Sequence, residues 1–160
     1  MSPAGPRPLA VQIQAVTAQY PDPRSATLPA LRMAQEEYGW LSPDALREVA
    51  DALGTTPAFC ASVASFYDMF HLAPVGRTLV EVCTNLSCGL LGAQQVLEAF
   101  EDGLGIKAGD TSEDGAFTLR TVECAGGCCW GTVIAVNDRH HGPVRPEDVP
   151  AIVKELRGEA

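Results

Sequence analysis

Residues 78–88 read T-L-V-E-V-C-T-N-L-S-C, and residues 117–128 read F-T-L-R-T-V-E-C-A-G-G-C. Each is a β-like run that ends on a cysteine and is followed by a short turn and a second cysteine. Four residues lie between Cys83 and Cys88, three between Cys124 and Cys128, and 35 between the pairs. Two strands would therefore each hold the first thiol of a pair on a rigid edge. The Asn85-Leu86-Ser87 and Ala125-Gly126-Gly127 turns would bring the second thiol back toward the same point. Glycines 126 and 127 lack a Cβ, so backbone N–H groups there can approach an anionic group closely.

The surrounding pattern completes a sheet. Gly89 to Asp102 reads as one helix with Leu90, Ala93, Leu97 and Phe100 along a stripe, starting just after Cys88. That start would set the positive end of a helix dipole beside the thiols. Gly103 to Gly115 is a loop. Thr132 to Val136 is a third strand, and Asn137-Asp138 is turn chemistry leading to a short returning strand. The last helix carries Val149, Ile152, Val153 and Leu156, with an irregular opening turn expected at Pro150. The order β-α-β-β-α with a right-handed crossover predicts an α/β (α+β) fold, a small thioredoxin-like sheet.

Upstream the period is helical. Leu9 to Tyr20 is a first helix ended by Pro21-Asp22-Pro23, and Ser25 is the expected cap of a second, which Gly39 stops. Ser42-Pro43 and Thr56-Pro57 open a third and a fourth, each with a capping hydroxyl and proline at the first helical position. The expected organisation is an N-terminal helical region over residues 1–72 and a thioredoxin-like domain over residues 73–160.

Composition narrows the chemistry. The 160 residues are 46% apolar and 19% charged, ordinary for a globular chain with a proper core. A net charge of −9 with no Lys/Arg cluster argues against a nucleic-acid partner. No apolar run approaches the roughly 18 residues of a membrane span, and the N-terminus shows no secretory pattern. The expected location is cytoplasmic. Six cysteines in such a chain read as reduced thiols rather than as a disulfide framework.

Four thiolates are what a two-iron, two-sulfide cluster needs, two per iron. Structural zinc is the competing reading, although zinc pairs are usually closed by about two intervening residues. A Rieske centre would need two histidines, and neither loop contains one. Cys60 reads as a buried small hydrophobe and Cys129 as a structural thiol beside a candidate ligand. His140 and His141 read as a solvated hairpin. Phe66, Tyr67, Met69 and Phe70 read as core, with some rings free for a partner.

The sequence resembles the thioredoxin-like [2Fe–2S] ferredoxin subunit of NADH:quinone oxidoreductase, the E subunit of respiratory complex I. The resemblance runs through R-S-A-T-L-P-A-L (24–31), Q-E-E-Y-G-W-L-S (35–42), V-A-S-F-Y-D-M-F (63–70) and P-V-G (74–76). It continues through V-C-T-N-x-x-C (82–88) and V-E-C-x-G-x-C (122–128). It implies that Cys83, Cys88, Cys124 and Cys128 ligate one [2Fe–2S] cluster, with no independent catalytic site in this chain. It also implies docking on a flavin/NADH-binding subunit that carries FMN and NADH, among other peripheral-arm subunits at the inner face of the membrane. Equivalent diaphorase subunits of soluble NAD-linked hydrogenases and formate dehydrogenases share these motifs. A zinc-stabilised interaction module is the alternative of another class. Two stretches depart from the family pattern: Ser87 where proline is usual, and Cys129-Trp130-Gly131 where a small residue and Ala-Pro are usual.

Overall fold

The computed structural model describes residues 8–158, which divide into two compact units, one ending at Pro74 and one beginning at Val75. The first unit is helical: α1 (Leu9–Thr17), α2 (Thr27–Tyr38), α3 (Pro43–Leu53) and α4 (Pro57–Ala64). Its core gathers Leu9, Ile13, Leu31, Val49, Leu53, Cys60 and Phe70. The capping expected at α3 and α4 is present, with Ser42 Oγ accepting from the Ala45 N–H at 3.1 Å and Thr56 Oγ1 from the Phe59 N–H at 3.2 Å. The start of α2 differs from expectation. Ser25 does not cap it: Pro23 opens a 3-10 turn over Pro23–Ala26, capped by Asp22 whose Oδ1 accepts from the Arg24 N–H at 2.9 Å, and α2 follows from Ala26 with no side-chain cap. Ser25 is left exposed inside that turn, and the α-helix begins at Thr27.

The second unit is built on a four-stranded sheet of β1 (Thr78–Cys83), β2 (Phe117–Val122), β3 (Ile134–Val136) and β4 (Arg139–His141) in the order β2-β1-β3-β4. β1 and β2 are parallel, with Val80 opposite Leu119 and Cys83 opposite Val122. β3 runs antiparallel to β1, and β4 returns antiparallel to β3. The return is a two-residue turn with positive φ at Asn137 (47°) and Asp138 (64°), the backbone that matches strand twist in a hairpin. Asn137 Oδ1 accepts from the Leu79 N–H at 2.8 Å, so the turn is also tied to β1. The mixed α/β fold with a thioredoxin-like sheet is the architecture expected from the sequence.

The crossover between β1 and β2 is two helices rather than one. α5 (Leu86–Leu90) closes after a turn and a half, and α6 (Ala93–Leu104) starts afresh. Gly92 sits between them at φ 98°, a left-handed conformation in which a helix cannot continue. The continuous-helix expectation therefore fails at Gly92. It also fails for Leu90, which is 80% exposed rather than on the buried stripe. One face of the sheet packs Val80, Val82, Leu119, Ile134 and Val136 against Val96, Phe100, Val149 and Val153 of α6 and α7 (Val149–Leu156). A 3-10 turn at Pro146–Asp148 precedes α7, the irregular opening that Pro150 implies.

Phe100 is completely buried in this core. Phe100→Ala removes its ring from contact and leaves a cavity, so it should cost about 3–5 kcal/mol. Urea unfolding followed by far-UV circular dichroism would show it as a lower midpoint with an unchanged slope.

Candidate iron–sulfur site

The site forms where two neighbouring parallel strands end. Cys83 is the last residue of β1, and Cys124 follows the end of β2 by two residues. Cys83 N–H donates to the Val133 carbonyl at 3.1 Å and Thr84 N–H to the Val122 carbonyl at 3.0 Å, so the strand end is clamped from both sides. Asn85 then caps α5, its Oδ1 accepting from the Leu86 N–H at 2.9 Å. This places Cys88 in the first turn of α5, not ahead of a helix as expected from the sequence. Cys83 and Cys88 are both almost fully buried and pack with Ala93 and Val133 in a small apolar cluster of their own.

The environment of the two thiols is polarised. Burial pushes the Cys83 thiol up, but the N–H groups of Ala125 and Asn85 and the Cys88 thiol donate to its sulfur and hold it below the usual thiol range. Cys88 is pushed up, first by burial and then by the Cys83 and Cys128 sulfurs, against a donated Val133 N–H. The structure thus brings Cys83, Cys88 and Cys128 into one neighbourhood. Cys124, one residue ahead of the Ala125 donor, is exposed at the start of the second loop, and Cys128 and Cys129 are exposed in the 3-10 turn Cys128–Trp130. Among the described residues, no three His, Cys, Asp or Glu side chains converge closely enough to hold a single metal ion.

The donor set suits an iron–sulfur cluster. Two buried thiols face backbone N–H groups from three separate segments, Asn85, Ala125 and Val133. Such donors favour sulfur in its anionic form. Close approach is built in at Gly131, where a Cβ would stand 3.4 Å from Cys88 Sγ and 3.0 Å from Leu91 Cδ1. In the sequence Gly131 stands out only as part of the Cys129-Trp130-Gly131 departure from the family pattern, and Val133 only as one position of the third strand. The Asn that follows a strand and precedes a helix turn is the one local signal that pointed to Asn85.

The remaining candidates fall as follows. Cys60 is completely buried, and burial pushes its thiol up, as suits an inert core residue. His140 and His141 are exposed in β4. Phe70 is buried, whereas Phe66 and Met69 are 78% and 54% exposed, so the aromatic run at the end of the helical unit is divided between core and surface. Leu86, Leu90, Leu91 and Trp130 form a set of exposed apolar side chains on the two cysteine loops.

A parallel-strand edge that presents paired cysteines to backbone donors on a thioredoxin-like sheet defines a class of small electron-carrying proteins. The chain belongs to the thioredoxin-like [2Fe-2S] ferredoxin family, whose model matches residues 13–157. It is 43% identical over 146 residues to an E subunit (number 2) of the NADH-quinone oxidoreductase of Rhizobium meliloti, covering 91% of this chain and 87% of that one. It is 38% identical over 151 residues to the E subunit of the NADH-quinone oxidoreductase of Mycobacterium tuberculosis, a match that covers 94% of this chain but only 60% of the relative. Its fold is similar to part of an NAD+-reducing [NiFe]-hydrogenase, with a TM-score of 0.71 at 19% identity over 81% of this chain and 23% of that chain.

Ser87 is half-buried directly before Cys88. A hydroxyl directly before a candidate ligand can donate to sulfur, and loss of a donor disfavours the more negative reduced state, so in iron-loaded protein Ser87→Ala is expected to lower the midpoint potential. An equilibrium redox titration that shows no shift, or a rise, would eliminate the serine as a donor.

Proposed function

We propose that Cys83, Cys88, Cys124 and Cys128 hold one [2Fe–2S] cluster and that the chain is the electron-carrying subunit beside the flavin/NADH-binding subunit of an NADH–quinone oxidoreductase. The observation that carries this reading is the buried Cys83–Cys88 pair under three convergent backbone N–H groups, in a chain 43% identical to a subunit of that enzyme. When bound, the cluster takes up and returns single electrons. The chain's own part is ligation, donor placement and exclusion of water, with no general acid or base required.

Electrostatics supports the assignment. A four-thiolate cluster carries about −2 when oxidised and about −3 when reduced. The N–H groups of Asn85, Ala125 and Val133 offset part of that charge, and the apolar packing of Ala93 and Val133 dries the β1 side of the site. Short-range electron exchange also needs a partner seated near the loops. Leu86, Leu90, Leu91 and Trp130 supply exposed apolar area on the segments that carry the cysteines, and exposed apolar area of this kind suits a protein contact. The partner in this reading is the FMN- and NADH-carrying subunit, within a complex peripheral to the inner face of the membrane. No helix among the described residues is long and apolar enough to cross a membrane. The hydrogenase likeness, at 19% identity, concerns the fold alone, and the named relatives favour the quinone-reducing complex.

Purified protein should contain two irons and two acid-labile sulfides per chain and give an S = 1/2 signal after dithionite reduction. Co-purification with an FMN-containing subunit would complete the assignment. Colourless, iron-free, zinc-replete protein would overturn it. A second expectation concerns the thiols. With four cysteines ligated and Cys60 buried, alkylation of the native holoprotein followed by mass spectrometry should mark Cys129 alone. Rapid labelling at Cys124 or Cys128 would contradict their assignment as ligands.

A further inference from the structure

Beyond the ligands and their backbone donors, one charged pair is built into the sheet beside the site. Glu81 lies on β1, opposite Arg120 of β2 on one side and Ala135 of β3 on the other. Two guanidinium nitrogens reach the same carboxylate oxygen, Nε at 2.8 Å and Nη2 at 2.6 Å from Oε1. Both side chains are largely withdrawn from water, with 11% of Glu81 and 26% of Arg120 exposed. Side chains alternate along a strand, so Glu81 shares a sheet face with Cys83, about 7 Å further along. Val80 and Val82, the positions on either side of Glu81, belong to the apolar core on the other face.

This placement is costly unless it is used. Burying two charges contributes little net stability, and an apolar pair of similar volume would serve a sheet at least as well. Charges held out of water are also weakly screened, so their field persists over the short distance to Cys83. We propose that the Glu81–Arg120 pair is an electrostatic control of the redox site, in which Arg120 prevents the Glu81 carboxylate from making the site harder to reduce. The inference rests on the cluster assignment given above. The two residues act through space on the ligated group and do not touch it.

The pair predicts opposite effects from its two halves. In iron-loaded full-length protein, Glu81→Gln removes a negative charge near the site and should raise the midpoint potential. Arg120→Gln leaves an unopposed anion and should lower it. At fixed applied potential each change should alter the ratio of reduced to oxidised cluster on the order of tenfold, the effect of one charge at this range in a medium of intermediate dielectric. Arg120→Lys, which keeps the charge, and the double change E81Q/R120Q, which restores neutrality, should both lie close to the parent protein. The measurement is a redox titration by visible absorption, with iron and sulfide content determined for every variant. An unmoved or lowered potential in E81Q overturns the inference, as does an R120K shift as large as that of R120Q. Should R120Q fail to hold iron, the near-isosteric E81Q decides alone by the direction of its shift. Parent protein without iron overturns the cluster assignment and this inference together, whereas loaded variants with unmoved potentials overturn this inference only.

Discussion

The parallel pairing of β1 with β2 is the constraint on which the rest of the second unit depends. Parallel neighbours end at the same edge of a sheet, so the loops that follow them must emerge side by side. With Cys83 opposite Val122, Cys124 falls two residues beyond the paired end of its strand, next to the other loop. Thirty-five residues of intervening sequence are thereby reduced to neighbours. Pairing of that kind needs a crossover, and α5 and α6 provide it while packing Val96 and Phe100 onto the sheet.

The same edge explains the chemistry of the thiols. β1 is an inner strand, so its last residue is buried by neighbours on both sides, and a thiol there meets backbone donors instead of water. Asn85 comes from the loop after β1, Ala125 from the loop after β2 and Val133 from the residue before β3. Three chain segments are needed to surround two sulfurs. The second pair of cysteines sits on a single exposed loop and lacks this enclosure. The site is therefore asymmetric, dry at the strand end and open at the loop, which suits a group that must be held firmly yet exchange electrons with a neighbour.

Much of the fold was legible along the chain because its signals are local. Ser42-Pro43 and Thr56-Pro57 announce helix starts through a hydroxyl and a missing N–H that act within one turn. Asn137-Asp138 announces a hairpin through tolerance of positive φ. The errors arose where a local signal had a competitor close by. Ser25 caps no helix because Pro23 had already started a 3-10 turn, which Asp22 caps and α2 continues. Gly92 divided a helix whose apolar stripe looked continuous, and Leu90 consequently faces outward.

The sequence by itself determined that four cysteines stand in two pairs at strand ends, that the elements run β-α-β-β-α after a helical region, and that composition favours a reduced, well-packed chain. Spacing and propensity carry that information because they act over a few residues. Only the tertiary structure decided that Cys83 and Cys88 are enclosed while Cys124 and Cys128 are exposed, that Val133 and Gly131 border the site, and that Arg120 meets Glu81. Each of those depends on register between strands distant in sequence, and register is set by the packing of the whole sheet.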